Sequence, residues 1–289
     1  MSDGQPPETG RVILVGTPIG NLGDISLRAV EELRRADVVC CEDTRRTRGL
    51  LSALGVPAGS RLMALHAHNE AGAAEVAVRR AAAGATVAVV TDAGMPGISD
   101  PGERLVAAAI AAGVPVDVVP GPAAAVAAVV ISGLPAQRWC FEGFLPRSGR
   151  ARAQRLAAIA GDERTTVLYE APHRVLRTLE DLVEACGAQR PVTCARELTK
   201  LHQELWRGEL AGALRWVEEH PPRGEWVVVV GGAPAAAVGE DAVGEALGAA
   251  LDAGVDRRSA VAEVARSLDV PKRRVYEAAL TMTWPPRDL

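Results

Sequence analysis

The chain has 289 residues, 48% of them hydrophobic, and a formal net charge of −4 at pH 7. This length suggests about two domains with full hydrophobic cores, and the charge excludes a globally basic nucleic-acid-binding protein. No apolar run is long and uninterrupted enough to span a membrane, and the first ten residues lack the pattern of a secretion signal. We therefore expect a cytoplasmic protein that begins with a disordered tail over residues 1–10.

The cysteine and histidine content argues against disulfides and metals. The cysteines form no C-x-x-C pair, and several fall in apparent strands or helices, so we expect free thiols in a reducing compartment. His66 and His68 are close in sequence but lack Cys or carboxylate partners at ligand spacing, so we predict no metal site. The cysteines are Cys40, Cys41, Cys140, Cys186 and Cys194.

The first half of the chain alternates short apolar strands with Ala-rich helices. Helices fill the intervals between the strands, and this alternation predicts an open parallel α/β sheet over residues 11–134. The predicted strands lie near residues 12–15, 38–41, 62–65, 86–90 and 116–119.

Three loops rich in Gly and Pro follow three of these strands, at residues 16–24, 91–102 and 120–124. Glycine permits positive φ and close approach of a ligand, and proline stiffens a loop. Asp92 and Asp100 place carboxylates at the carboxyl ends of the strands, where open α/β folds bind ligands. The alternative is a tight turn in which an Asp caps the next helix.

The first loop is not a dinucleotide-binding fingerprint. Its glycines are spaced G-x-x-x-G-x-x-G rather than G-x-G-x-x-G, and its prolines would obstruct a phosphate-cradling turn. This spacing excludes a nicotinamide dehydrogenase. The uncharged loop walls suit a ligand with a purine and a ribose but no phosphates.

The second half begins near Trp139 and has adjacent strands with fewer helices between them. This pattern predicts a second α/β domain with a mixed sheet over residues 135–231, completing a cleft with the first domain. The predicted strands lie near residues 139–144, 165–169, 192–196, 204–207 and 226–230, and the helices near 152–160, 174–185 and 210–218.

Residues 232–240 are a linker by composition, and a small helical module is predicted over residues 241–289. Its helices lie near residues 241–253, 258–268 and 271–281. The last two resemble a helix-turn-helix, with Pro271 well placed to start a helix that carries Lys272 and Arg273 in its first turn. The module is either a nucleic-acid contact or a three-helix appendage that packs on the core or on a partner subunit.

Ten motifs stand along the chain in the order GTPIGNLGDISLRA, CEDTRRTRGLL, HAHNE, TDAGMPGISDPG, PGPAAA, SGLP, FEGFLPR, YEAPHR, RELTK and GEWVVVV. This ordered set resembles the ribosomal RNA small subunit methyltransferase I family, which has the tetrapyrrole-methylase fold, and the resemblance covers roughly residues 11–231. The family usually has Thr and Ser at the positions of Met95 and Ala123.

The resemblance implies 2'-O-methylation of a cytidine in the decoding region of 16S rRNA, with S-adenosylmethionine as cofactor. It also implies action on 16S rRNA, in the small ribosomal subunit, and superfamily relatives suggest a homodimer. We assign the cofactor bed to the three loops, with Tyr169 and Ala171 completing it from the end of a second-half strand. The loop residues are Pro18, Ile19, Gly20, Asp92, Ala93, Gly94, Met95, Pro96, Gly121, Pro122 and Ala123.

Lys200, Glu170 and His173 are the candidates for the catalytic base. Only Lys200 and Lys272 are lysines in this arginine-rich chain, which suggests a role that a guanidinium cannot fill. A pKa lowered by burial would let Lys200 accept a hydroxyl proton. Glu42 and Asp43 follow the second strand and serve either in catalysis or as a helix cap with an ion pair.

Arginine clusters are the candidates for holding RNA phosphates, because such contacts position RNA and make binding salt-dependent. The alternative is a set of solvated helix faces. One cluster, which follows the FEGFLP motif, consists of Arg147, Arg150, Arg152 and Arg155. The assigned residues are Arg45, Arg46, Arg147, Arg150, Arg174 and Arg196.

Two other functions are compatible with parts of the sequence. The first is carbon methylation of a tetrapyrrole by the same fold, which the YEAPHR and RELTK motifs and the arginine clusters disfavour. The second is a non-enzymatic nucleic-acid-binding protein whose C-terminal helices carry the function.

Overall fold

The computed structural model describes residues 10–234 and 240–284. The chain forms two compact units, Met1–Ala233 and Pro234–Leu289. The expected tail, apart from Gly10, and residues 235–239 of the expected linker lie outside the described residues. Among the described residues, no helix is long and apolar enough to cross a membrane, and the cysteines are free thiols.

The first sheet is built from five strands, β1 Arg11–Val15, β2 Val38–Cys41, β3 Leu62–Ala64, β4 Thr86–Val89 and β5 Val116–Val119. Its helices are α1 Leu27–Arg35, α2 Thr44–Ala53, α3 Glu70–Ala82 and α4 Glu103–Ala111. The sheet is fully parallel and has the order β3-β2-β4-β1-β5. Successive residues of β1 face opposite sides, because Val12 packs with α3 and α4 while Ile13 packs with α1 and α2.

The strand order explains why the Gly/Pro loops meet. Strand β1 lies between β4 and β5, and β2 lies on the other side of β4. In a parallel sheet all carboxyl ends point to one edge, so the loops after β1, β2, β4 and β5 are neighbours there.

The second sheet is built from β6 Trp139–Phe144, β7 Thr165–Glu170, β8 Pro191–Arg196, β9 Glu204–Glu209 and β10 Trp226–Val230. The helices around it are α5 Ala124–Ser132, which follows the first sheet, α6 Gly149–Gly161, α7 Pro172–Cys186 and α8 Leu210–Glu219. The strand order is β6-β7-β10-β8-β9, and β6 and β7 are the parallel pair. One face of the sheet packs on α6, α7 and α8, and the other packs on α5.

The C-terminal unit has three helices, α9 Glu240–Asp252, α10 Arg257–Ser267 and α11 Lys272–Leu280. Asp256 caps α10, and Pro271 is the N-cap residue of α11. A core that includes Val243, Leu247 and Val275 holds the helices together.

The predicted fold class is confirmed: a parallel α/β sheet, a mixed sheet and C-terminal helices. The expected element positions agree with the structure apart from one to three residues at several ends. This agreement follows from the strong apolar periodicity of the segments.

Candidate functional site

A cavity of about 410 Å³ opens at the carboxyl edge of the first sheet. The first sheet contributes residues from the loops after β1, β2, β4 and β5. The second sheet contributes the ends of β6 and β7, the start of β10 and Leu198. Both sheets lie in the same compact unit, so the cavity is a cleft between two layers of one body.

The loops after β1 and β4 are joined by backbone hydrogen bonds. Thr17 N donates to Gly94 O at 2.9 Å, and Gly94 N donates to Thr17 O at 3.2 Å. The buried Thr17 hydroxyl donates to Thr91 O at 3.2 Å. These bonds fix one wall of the cavity without a ligand.

Gly16 and Gly121 bring the loops after β1 and β5 into direct backbone contact. A Cβ on Gly121 would lie 2.7 Å from Gly16 Cα, and a Cβ on Gly16 would lie 2.6 Å from Gly121 Cα. Neither residue has a positive φ. Glycine is therefore needed here for close approach rather than for backbone conformation.

The helix after the long loop is capped by a distant residue. Helix α4 has no side-chain cap from its own N-cap, Gly102. Instead, the Glu70 carboxylate accepts from Gly102 N at 2.9 Å and Arg104 N at 3.3 Å. The alternative in which an Asp of this loop caps the helix is therefore wrong, and Asp100 lines the cavity instead.

The loop after β2 combines a cap with a cavity wall. Asp43 caps α2 through Arg45 N at 2.7 Å and forms an ion pair with Arg45 at 3.2 Å. Of the two roles considered for Asp43 from the sequence, the structure shows the helix cap with an ion pair. Asp92 accepts from Asp43 N at 3.2 Å and pairs with Arg46 at 3.3 Å.

Two carboxyls in the cavity have raised pKa values. Burial, followed by the charge of Asp92, raises the pKa of Glu42. Burial raises the pKa of Asp100 to about 6, and the charges of Glu42, Asp92 and Glu225 add to this effect. The Thr91 hydroxyl acts in the opposite direction on both carboxyls.

The predicted cofactor residues divide into those that line the cavity and those that support it. The Tyr169 hydroxyl accepts from Ala125 N at 3.1 Å, and its ring meets Phe141 and Phe144 edge to face. The lining residues are Ile19, Asp92, Ala93, Gly94, Met95, Ala123, Tyr169 and Ala171. The supporting residues, in the same loops, are Pro18, Gly20, Pro96, Gly121 and Pro122.

The pKa of Lys200 is raised in the structure, whereas the sequence analysis expected it to be lowered. Burial acts to lower its pKa, but its Nζ donates to Glu197 at 2.7 Å and Glu225 at 3.0 Å, and these carboxylates raise the pKa overall. A lysine with a raised pKa stays charged and does not accept a proton at neutral pH. The expected lowered pKa is therefore wrong. The Lys200 stem also packs over Gly20.

The other two base candidates differ in burial. Glu170 is fully buried and accepts from the Thr178 hydroxyl at 2.6 Å and Ala171 N at 2.9 Å, and it pairs with Arg174 at 3.2 Å. These contacts occupy both of its oxygens. His173 is exposed in the first turn of α7, outside the residues that line the cavity.

The arginines expected to hold phosphates fall into two groups. Arg45, Arg46, Arg147 and Arg150 are exposed, and Arg46 also lines the cavity.

Arg174 and Arg196 are half-buried in internal contacts, which corrects their assignment as free phosphate clamps. Arg174 donates to Leu145 O at 2.6 Å, and Arg196 pairs with Glu204 at 2.7 Å and lies over the Trp226 ring. Arg152 is also buried, bonded to Asp181, Thr178 and Pro146 O, so it does not belong to the phosphate cluster.

Several cavity residues were not assigned to the site from the sequence. Trp226 is the first residue of β10, Glu225 immediately precedes it, and Phe144 ends β6. Thr91 stands inside the long Gly/Pro loop, so that loop was the signal that could have identified it, as it did for the carboxylate of Asp100. Nothing in the sequence placed Glu225 near a cofactor loop.

Comparison with known proteins places the chain in a family. The tetrapyrrole (corrin/porphyrin) methylase model matches residues 11–214. Curated relatives called ribosomal RNA small subunit methyltransferase I include those of Synechocystis sp. (41% identical), Mycobacterium tuberculosis (44%) and Escherichia coli O157:H7 (42%). Each match covers 94% of this chain and 95–98% of the relative.

Solved structures give the same fold. Uroporphyrin-III C-methyl transferase from Thermus thermophilus, complexed with S-adenosyl homocysteine, has a TM-score of 0.55 over 77% of this chain and 97% of its own, at 21% identity. Diphthine synthase has a TM-score of 0.60 over 76% and 89%, at 16% identity. The chain therefore belongs to the ribosomal RNA small subunit methyltransferase I family, within the tetrapyrrole methylases.

Proposed function

We propose that this protein methylates the 2' oxygen of a cytidine ribose in the decoding region of 16S rRNA, using S-adenosylmethionine. The observation that carries the proposal is the 41–44% identity, over 94% of the chain, to relatives named as methyltransferases of small-subunit ribosomal RNA. The carboxyl-edge cleft supports it, because open α/β folds bind their ligands there.

The cavity residues fit S-adenosylmethionine. Thr91 is 3% exposed, and its hydroxyl lies beside the Glu42 and Asp100 carboxyls in the cavity wall, so this wall offers buried polar groups to a ligand. The cavity carboxylates match the positive charge of a sulfonium and an ammonium group. When bound, the cofactor supplies an electrophilic methyl group.

The proposed cofactor bed consists of the three Gly/Pro loops together with Tyr169 and Ala171. Its contribution to the reaction is to orient the cofactor toward the ribose hydroxyl. Orienting the reacting groups can supply several kcal/mol of the barrier. The loop bonds between Thr17 and Gly94 and the backbone contact between Gly16 and Gly121 hold the bed rigid. RNA phosphates are proposed to contact the exposed Arg45, Arg46, Arg147 and Arg150, and His173 to border the substrate.

Lys200 is proposed as a positioning residue that ties the loop after β1 to Glu197 and Glu225. Lys200→Met should weaken S-adenosylmethionine binding about tenfold, because a hydrogen bond to a charged group contributes roughly 1.5–3 kcal/mol. The pH dependence of kcat should not change. Calorimetric titration and a pH profile check this, with Lys272→Met as the matched control that leaves cofactor affinity unchanged. Loss of an ionisation from the Lys200→Met profile would instead make Lys200 the base.

The proposed domain limits are residues 11–134 and 135–231 for the two α/β parts and 241–289 for the helical module, with a tail at 1–10 and a linker at 232–240. A chain ending at Gly232 should keep cofactor binding and tests the non-enzymatic alternative. If that truncation lost cofactor binding while staying folded, the helices would carry more of the function than proposed.

The proposed partners are 16S rRNA in the small ribosomal subunit and a second copy of the chain, and such a substrate implies action in the cytoplasm. Val126 and Val130 lie one turn apart on α5 and are exposed, which is the kind of apolar surface that a homodimer would cover. Sedimentation equilibrium measures this state directly.

Methyl transfer is the decisive test of the proposed function. Purified protein would be incubated with labelled S-adenosylmethionine and small subunits from cells that lack this enzyme, and the label mapped by its block to alkaline cleavage. Label at one cytidine ribose in the decoding region is expected. Cofactor binding without label, together with an absorbance change on adding a porphyrinoid, would replace the proposal with tetrapyrrole methylation.

A further inference from the structure

Strand β6 ends in a bulge that turns an aromatic side chain toward the cavity. The pairing of β6 with β7 shifts register between Phe141 and Gly143, and Phe144 then lies opposite Tyr169. Residues three apart in a regular strand face opposite sides of the sheet. Here the rings of Phe141 and Phe144 both contact the Tyr169 ring, at 4.8 Å and 5.8 Å between centroids. The bulge therefore places both phenylalanines on the same face of the sheet.

The backbone around the bulge fixes this arrangement. Gly143 has a φ of +61°, in the left-handed region that favours glycine. A Cβ on Gly143 would lie 3.3 Å from the Ser99 hydroxyl oxygen, so the end of β6 is in close contact with the long loop after β4. Bulges are frequent beside active sites, where they redirect a side chain. The side chain that this bulge redirects is Phe144, which lines the cavity.

The Phe144 ring is held by protein on one side and is open on the other. Its edge-to-face partner, Tyr169, is itself fixed, because the Tyr169 hydroxyl accepts from Ala125 N at 3.1 Å. Phe144 is nevertheless 51% exposed, and Ile98, which also lines the cavity, is 48% exposed. These two side chains give the cavity an apolar rim with an exposed aromatic ring.

Exposed arginines flank this apolar rim. Arg46 lines the cavity with a side chain that is 70% exposed. Arg147 follows Phe144 by three residues, and Arg150 lies in the first turn of α6; both are exposed. Proteins bind single-stranded nucleic acid in this way, with cations along the phosphates and bases stacked on aromatic rings. The charges thus favour a nucleotide as the group that covers Phe144.

We propose that Phe144 stacks on the base of the target cytidine, with Ile98 beside it, and so positions the ribose at the mouth of the cavity. This inference rests on the proposed function and deepens it. A cavity of about 410 Å³ has the size of a small-molecule site and does not admit an RNA helix, so the target nucleotide must leave its own stack. Stacking on an aromatic side chain is the usual way in which proteins hold such an unstacked base.

The adenine of the cofactor is the competing group for this ring. The residues of the proposed cofactor bed that line the cavity, such as Ile19, Gly94 and Ala123, are buried or half-buried. Phe144, by contrast, is exposed at the rim. A ligand that enters after the cofactor meets the rim first, so Phe144 belongs to the substrate side of the cavity.

Three substitutions of Phe144 test the proposal in methyl transfer to small ribosomal subunits at saturating S-adenosylmethionine. Phe144→Ala should lower kcat/KM for the subunits about five- to hundredfold, the typical loss when one base–aromatic stack is removed. Phe144→Tyr keeps the ring and should stay within about threefold of wild type. Phe144→Leu keeps apolar bulk without the ring, so its kcat/KM should lie closer to that of Phe144→Ala than to wild type.

Two further readouts separate stacking from a structural role. Calorimetric titration should give an affinity for S-adenosylmethionine within about twofold of wild type in all three variants. Their Tm values should stay close to that of wild type, because Phe144 is half exposed. Ile110→Ala removes an apolar side chain that is 65% exposed on α4, outside the residues that line the cavity, and should leave kcat/KM unchanged.

Three results would overturn the proposal. A Phe144→Leu protein as active as wild type would show that Phe144 is only an apolar wall. A Phe144→Tyr protein as impaired as Phe144→Ala would show that the aromatic ring is not what the substrate needs. A tenfold loss of S-adenosylmethionine affinity in Phe144→Leu would assign the ring to the adenine of the cofactor.

The failure of this inference is distinguishable from failure of the proposed function. If wild-type protein transfers no methyl group to small subunits, the proposed function fails, whatever the variants do. If wild-type protein is active and Phe144→Ala is equally active, only the role of Phe144 fails.

Discussion

Arg152→Ala should lower the free energy of unfolding by about 3–5 kcal/mol, the usual cost of removing one partner from a buried ion pair. The Arg152 side chain is 5% exposed, and its Nε donates to Asp181 at 2.6 Å. It also donates to the Thr178 hydroxyl at 3.0 Å, which in turn donates to Glu170 at 2.6 Å. Alanine would leave Asp181 and Pro146 O without this donor and would loosen the strand end that carries Glu170 and Ala171.

Denaturant unfolding of wild type and variant measures this loss. Arg150→Ala is the matched control, because Arg150 lies on the same helix and is exposed, and exposed substitutions usually change stability by less than about 0.5 kcal/mol. The two variants should have the opposite order of effects on RNA binding, with the larger effect in Arg150→Ala. Arg150→Ala should reduce the slope of log affinity against log salt by about 1, and Arg152→Ala should leave it unchanged.

The opposite results would change which arginines of α6 are assigned to the RNA-binding surface. If Arg152→Ala reduced the salt slope without loss of stability, then Arg152 would belong to the RNA surface as its position in the sequence suggested. If Arg150→Ala left RNA affinity unchanged, the start of α6 would be a solvated helix face.

Gly121→Ala should destabilise the fold by about 1–3 kcal/mol, the typical cost of overpacking, and should weaken S-adenosylmethionine binding at least tenfold. The added Cβ would lie 2.7 Å from Gly16 Cα and 2.9 Å from Gly16 O. These are backbone atoms, so relief requires the loops after β1 and β5 to separate. Ala123, two residues later, lines the cavity and would move with its loop.

Gly72→Ala is the matched control for this substitution. Gly72 lies in α3, and a Cβ there would meet no atom within 4 Å, so the variant should gain up to about 1 kcal/mol from helix propensity. Thermal unfolding and calorimetric titration with the cofactor measure both effects. Unchanged cofactor affinity in a destabilised Gly121→Ala protein would mean that the close contact serves only the fold.

The predictable part of the molecule came from local and periodic signals. Short apolar runs bounded by Gly and Pro predicted both sheets, because a strand buried on both faces needs an unbroken apolar stretch. The Gly/Pro loops also marked the cavity wall: Gly94 has a φ of +88°, and Gly16 and Gly121 allow close backbone contact that a side chain would exclude. The apolar runs and the Gly/Pro composition are local features of the sequence, so they were readable without coordinates.

Charged side chains were predicted less well, because the sequence pattern does not show which neighbouring carboxylate each cation contacts in the fold. Arg174 and Arg196 looked like phosphate clamps, but Glu170 and Glu204 engage them. Lys200 looked like a base, but hydrogen bonds to Glu197, three residues before it, and to Glu225, just before β10, raise its pKa. A pKa is set by burial and by charges a few ångströms away, and no local pattern records which charges those are.

The sequence by itself determined the fold class, the order of the elements and the loops that surround the cavity, because periodicity and backbone freedom act over a few neighbouring residues. Only the tertiary structure decided which acids and bases are paired and which are free. The cap of α4 is the clearest case: Glu70, more than thirty residues away, caps the helix, and Asp100 lines the cleft instead, where burial raises its pKa to about 6.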